Sequence, residues 1–107
     1  MIVNLTPHAL HIKNSKGEML TVEPSAMPAP RVSMSRKPCG AKDGINLYEN
    51  TIGEALNLPS PAPGVLYVVS ALVRLACPDR KDFASPGNLL RNSEGVIIGC
   101  DGLDVNN

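Results

Sequence analysis

Gly64 to Asp82 reads GVLYVVSALVRLACPDRKD, and this stretch decides the fold. Val65 to Val69 are apolar, β-branched or aromatic, the signature of a buried strand. Ser70 stands where a helix N-cap stands, and Pro78 ends the segment that follows. Ser70 to Cys77 is therefore read as the helix of the chain, about two turns long. A helix that short is held by packing rather than by its own hydrogen bonds. Leu72, Val73 and Ala76 are expected to face the core, with Arg74 facing out. Asp79, Arg80, Lys81 and Asp82 follow as a charged loop. A strand, a capped helix and a charged loop in succession present polar groups to a ligand in many proteins.

Upstream, Pro59-Ser60-Pro61-Ala62-Pro63-Gly64 is a stiff connector that delivers the chain to this central strand. Residues 2–5 and 9–13 are short apolar segments on either side of Thr6-Pro7, and Pro7 cannot donate to a ladder. Asn14-Ser15-Lys16-Gly17 is a turn, and Met19 to Glu23 returns from it to complete a hairpin. Pro24, Pro28 and Pro30 make an extended link. Arg31 to Arg36 alternates, Val32 and Met34 against Arg31, Ser33 and Ser35, as a half-buried strand does. Lys42-Asp43-Gly44 signals a turn. Ile45 to Ile52 alternates less cleanly because both faces mix. Gly53 to Leu58 reads as a further strand or as a single helical turn.

Downstream, Pro78 to Asn88 is expected to be loop. Leu89 to Arg91 and Val96 to Cys100 flank Asn92-Ser93-Glu94-Gly95, a second hairpin with the turn chemistry of the first. The tail after Gly102 is polar and expected to fray. The reading is a β-rich α+β fold: a small antiparallel sheet or partly open barrel with one short helix. Its 107 residues fit one domain with one modest core.

Composition removes several function classes. Ten basic and ten acidic side chains leave no net charge to draw in nucleic acid or anionic lipid. Tyr48, Tyr67 and Phe83 are the only aromatic residues, too few for the stacking platforms of single-strand binders. Cys39, Cys77 and Cys100 are odd in number and show no CxxC spacing, which argues against a secreted disulfide framework. The opening MIVNLTPHAL has neither a basic nor a long apolar signal-peptide region. No apolar run reaches the roughly 20 residues that span a bilayer. A cytoplasmic setting is expected, with no nucleic-acid or membrane partner.

Several residues carry chemical potential. His8 and His11 are three apart, and in a strand they face opposite sides and do not share a metal ion. No metal site and no cofactor are expected. Ser70 lacks the flanking glycines of a G-x-S-x-G nucleophile elbow, so its hydroxyl is assigned to the cap, alone or together with a ligand contact. There is no GxxxxGK[ST] or GxGxxG cradle, so phosphate contacts fall to separate arginines, Arg31, Arg80 and Arg91. Arg80 with Asp82 is read as a loop-fixing ion pair or as a reader of ribose and phosphate. His8, in Asn4-Leu5-Thr6-Pro7-His8, is a structural histidine or a hydrogen-bonding group for a ligand. Tyr67 completes the candidate ligand set.

These motifs resemble a family of short, largely uncharacterised phage and prophage proteins. The shared segments are N-L-T-P-H at Asn4 to His8, the arginine after a proline stretch at Pro30-Arg31-Val32, and P-x-P-G-x-x-Y-x-V-S-x-L-V at Pro61 to Val73. P-x-R-x-D at Pro78 to Asp82 and R-x-x-x-G-x-I-I-G-C at Arg91 to Cys100 complete them. The chain departs at Ser35 to Ala41, SRKPCGA. The resemblance implies a small accessory protein of a phage, a class that includes inhibitors of host defence. The expected function is non-enzymatic sequestration of a small phosphorylated, nucleotide-derived immune signal by His8, Arg31, Tyr67, Ser70, Arg80, Asp82 and Arg91. The alternatives are a protein–protein interaction module, inhibiting a host enzyme or serving phage structure, and a small hydrolase using His8 or Ser70. Edge-exposed sheet with few aromatics also predicts a homo-oligomer.

Overall fold

A computed structural model describes residues 1–107. The chain is β-rich, with one short helix and no closed barrel. The first four-stranded sheet contains β1 (Ile2–Asn4), and three later strands join it. Its centre is the stretch quoted at the outset. The strand there spans Leu66–Val68 and lies parallel to β1, with Ile2 opposite Leu66 and Asn4 opposite Val68. The helix spans Ala71–Ala76, flanked by Ser70 and Cys77 as its caps.

In chain order the remaining strands are β2 (Leu10–Lys13), β3 (Met19–Val22), β4 (Arg31–Lys42) and β5 (Ile45–Leu56). The central strand is then β6 and the helix α1. After them come β7 (Phe83–Pro86), β8 (Leu89–Arg91), β9 (Ile97–Cys100) and β10 (Leu103–Val105). The sheets are ordered β1-β6-β7-β10 and β3-β2-β9-β8, and β4 with β5 forms a separate two-stranded ribbon. Both four-stranded sheets are mixed, because β6 runs parallel to β1 and β7, and β2 parallel to β9. The two hairpins read from the sequence are thus halves of one sheet.

Side-chain alternation explains why β6 reads as continuously apolar. Val3, Tyr67 and Phe83 share one face and Asn4, Val68 and Ala84 the other, and β6 is covered on both. The core cluster is Leu5, Tyr67, Val69, Val73 and Phe83, with Tyr67 and Phe83 edge to face at 6.4 Å. Ser70 accepts a hydrogen bond from the Val73 amide at 3.2 Å, as an N-cap should.

Five expectations need correction. Pro78 to Asn88 is not all loop: it contains β7, whose Phe83, Ala84 and Ser85 are buried. The tail does not fray: β10 pairs antiparallel with β7, and Asn106 follows it into contact with α1. Arg74 does not face out, because its Nε donates to Ser85 Oγ at 2.8 Å and its Nη1 to Asn106 Oδ1 at 3.2 Å. Leu72 is exposed, leaving Val73 as the buried helical residue. Arg31 to Arg36 is not half-buried; it opens a 12-residue strand on which only Val32 is partly covered. Of the two readings of Gly53 to Leu58, the strand is the one observed, since β5 runs on to Leu56.

Candidate functional site

The Asn4-Leu5-Thr6-Pro7-His8 segment is built around one buried amide. Asn4 Nδ2 donates to the carbonyls of His8 at 2.8 Å and Val22 at 3.0 Å. Its Oδ1 accepts from the Thr6 amide and the Thr6 hydroxyl, at 2.9 and 2.6 Å. Its own carbonyl accepts from the Ser25 amide at 2.7 Å. One side chain therefore ties the end of β1 to the end of β3 and to the entry of β2. The turn uses the His8 carbonyl, and the imidazole itself is exposed.

Arg80 and Asp82 form a bidentate pair, with Nε and Nη2 each 2.8 Å from a carboxylate oxygen. The guanidinium also stacks on the Phe83 ring at 4.2 Å. Hydrogen bonding to Asp82 raises the pKa of Arg80 further, and the same bond holds the Asp82 carboxyl below its ordinary value. The loop-fixing ion pair is therefore present.

The other members of the ligand set are spread over the molecule. Tyr67 is buried in the core and donates its hydroxyl to the Ser60 carbonyl at 3.0 Å, pinning the proline-rich connector. Arg91 Nη1 donates to the Gly95 carbonyl at 3.0 Å and closes the β8–β9 turn. Arg31 begins β4. His8 and Ser70 follow the carboxyl ends of the adjacent parallel strands β1 and β6, whereas Arg80 and Asp82 precede β7. His8 and Ser70 thus share one end of the sheet, and Arg80 and Asp82 lie before a strand parallel to them.

Two features lie outside the candidate set, and the first was not legible in the sequence. A groove of about 480 Å³ is lined by Leu10, His11, Pro86, Leu89, Ile98 and Cys100 among others. It contains none of the seven candidate residues and no charged side chain. It exists because β2 pairs with β9, residues nearly a whole chain apart, and no local pattern announces that pairing.

The larger feature is the β4–β5 ribbon. Asp43 and Gly44, both at positive φ, make its tight turn. Each strand has 12 residues, so the ribbon extends about 40 Å at the usual rise per residue. Beyond its root at Val32 and Ala55 every residue but those two is exposed. In register, Met34 lies opposite Ile52, Arg36 opposite Asn50, and Pro38 opposite Tyr48. Those six share a face. Arg36 stacks on the Tyr48 ring at 3.6 Å, while Met34, Tyr48 and Ile52 stay 52%, 40% and 49% exposed. Ile45 and Leu47 are exposed near the tip.

No protein-family model matches the chain, and no curated protein or solved structure is similar to it at a significant level. No helix is long and apolar enough to cross a membrane.

Proposed function

We propose that this chain is a non-enzymatic protein–protein interaction module that works through its β4–β5 arm. The observation that carries the reading is surface area. A folded monomer of 11.3 kDa is expected to expose roughly 5,700 Å², and this chain exposes 7377 Å². The difference comes with apolar side chains along the arm and on both sheets. An isolated two-stranded ribbon is marginal in water at best, so a 12-residue one with bare methionine, isoleucine and tyrosine calls for a covering partner. In the phage setting that the resemblance implies, such an arm engages a host enzyme or a structural component.

A second reading, sequestration of a small phosphorylated signal, is favoured by the placement of His8 and Ser70. Ligands of open sheets with parallel strands bind outside the carboxyl ends of those strands, and both residues follow such ends.

Native mass spectrometry of the chain purified from its natural host separates the readings. The arm reading predicts complexes that contain protein mass. Sequestration predicts a bound small anion, together with stabilisation of about 2.7 kcal/mol by a nucleotide at 100 times its dissociation constant. A bare monomer removes both.

A further inference from the structure

We propose that the groove over β2, β9 and β8 is a binding site for one small, neutral, largely apolar molecule. The site lies in a different part of the fold from the arm and does not depend on the arm reading.

The groove is the one cavity of the molecule. Its volume of about 480 Å³ lies within the roughly 300–1,000 Å³ of small-molecule sites. That is roughly three times an apolar cavity that takes up benzene, so it suits a molecule of a few rings or a branched hydrocarbon chain.

The lining selects a neutral occupant. No Lys, Arg, Asp or Glu lines the groove, and six of its nine residues are hydrophobic, although 19% of the chain is charged. An ion placed there would lose water and gain no partner. His11 is the only ionisable side chain on the groove besides the Cys100 thiol, and its Nδ1 is already engaged with Thr21 Oγ1 at 3.1 Å.

A bulge shapes the wall. Leu90 lies opposite Gly99 but Arg91 lies opposite Ile97, so Ile98 has no partner on β8. In a regular strand Ile97 and Ile98 would face opposite sides of the sheet. Here both line the groove, and both stay exposed. Bulges re-aim side chains in this way beside binding and active sites. Leu10 and Leu89 line the groove from β2 and β8, and Pro86 from the end of β7 in the other sheet. Cys100, which also lines it, is buried.

The neighbouring edge favours a small molecule over an extended peptide. β8 is the free edge beside the groove, with three residues and a register shift within them. An added strand needs a run of unpaired backbone groups, and a short, irregular edge denies it one.

Fluorescence titration of the full chain with Nile red, a neutral apolar dye, tests the site. One bound dye per chain is expected, with brighter and blue-shifted emission. Ile98→Glu and Leu89→Lys each place a charge on the groove and should weaken binding by at least about 10-fold. The near-ultraviolet dichroism of Tyr67 and Phe83 reports whether each variant keeps its core. Hydrogen exchange of the unsubstituted chain gives a readout that needs no variant: saturating dye should slow the amides of Ile97 to Cys100 and leave those of the arm unchanged. A wild-type chain that does not bind the dye overturns the site. Binding that survives both substitutions with the core intact overturns it too, as does protection that falls on the arm instead of on β9. Each of these failures leaves the arm reading standing, because that reading is tested on complexes recovered from the host.

Discussion

Asn4 and Asp82 show how single side chains hold this molecule. Asn4 is buried and every polar atom of its side chain is paired. Asn4→Ala strands two carbonyls and the Thr6 amide, so a loss of about 3 kcal/mol and a melting temperature lower by more than about 10 °C are expected in a thermal unfolding scan. Asp82 governs the acid limit instead. Its carboxyl lies below the ordinary value of 3.8, with the bond to Arg80 as the main cause. A depressed pKa means that the ion pair stabilises the fold fully above that ordinary value and is lost as pH falls through the folded one. Denaturant midpoints should therefore drop as pH falls below about 4, and Asp82→Asn should flatten part of that slope. An unchanged slope in the variant would mean that the pair is not the titrating element. At this scale the sequence was highly legible. Asn14 and Asn92 each accept two amides, from Lys16 and Glu18 and from Glu94 and Val96, as two copies of one turn should. Such contacts lie within four residues, and local chemistry specifies them.

At the scale of elements, α1 depends on a residue 30 positions beyond it. Asn106 Nδ2 donates to the carbonyls of Arg74, Cys77 and Arg80, at 3.1, 2.9 and 3.1 Å. These are orphan carbonyls of the helix end and of the loop after it. Asn106→Ala should destabilise by about 1–3 kcal/mol and speed hydrogen exchange in α1 before other elements. Equal exchange in the variant would assign the helix to its packing alone. The joint between the two hairpins is as specific. A Cβ on Gly99 would come within 2.5 Å of the His11 carbonyl oxygen, so Gly99→Ala should separate β9 from β2 and abolish the groove. The capped helix and both hairpins were readable because cap, turn and alternation are local signals. β7 and β10 were not, because Phe83-Ala84-Ser85-Pro86 shows no alternation and is buried only once β6 and β10 flank it. The arm was half readable. Its turn was clear, but Pro38, Cys39 and Gly40 masked the second half of β4, and nothing local distinguishes a covered strand from a bare one.

The whole molecule is an open one. Its compact part, two four-stranded sheets and a short helix, carries a two-stranded ribbon that meets the core only at its root, where Val32 packs. The candidate ligand residues illustrate the limit of the sequence at this scale. Arg91, Tyr67 and Arg80 close a turn, pin a connector and fix a loop through partners close in the chain, and local chemistry does not say which of these units the fold brings together. The central claim is that the arm is covered in the working protein. Hydrogen–deuterium exchange of the complex recovered from the natural host, compared with the chain alone, tests it most directly. The account predicts slow exchange of the amides between Met34 and Pro38 and between Tyr48 and Ile52 in the recovered complex. Exchange there as fast as in an unprotected hairpin in the recovered material, with β6 still protected, would contradict it.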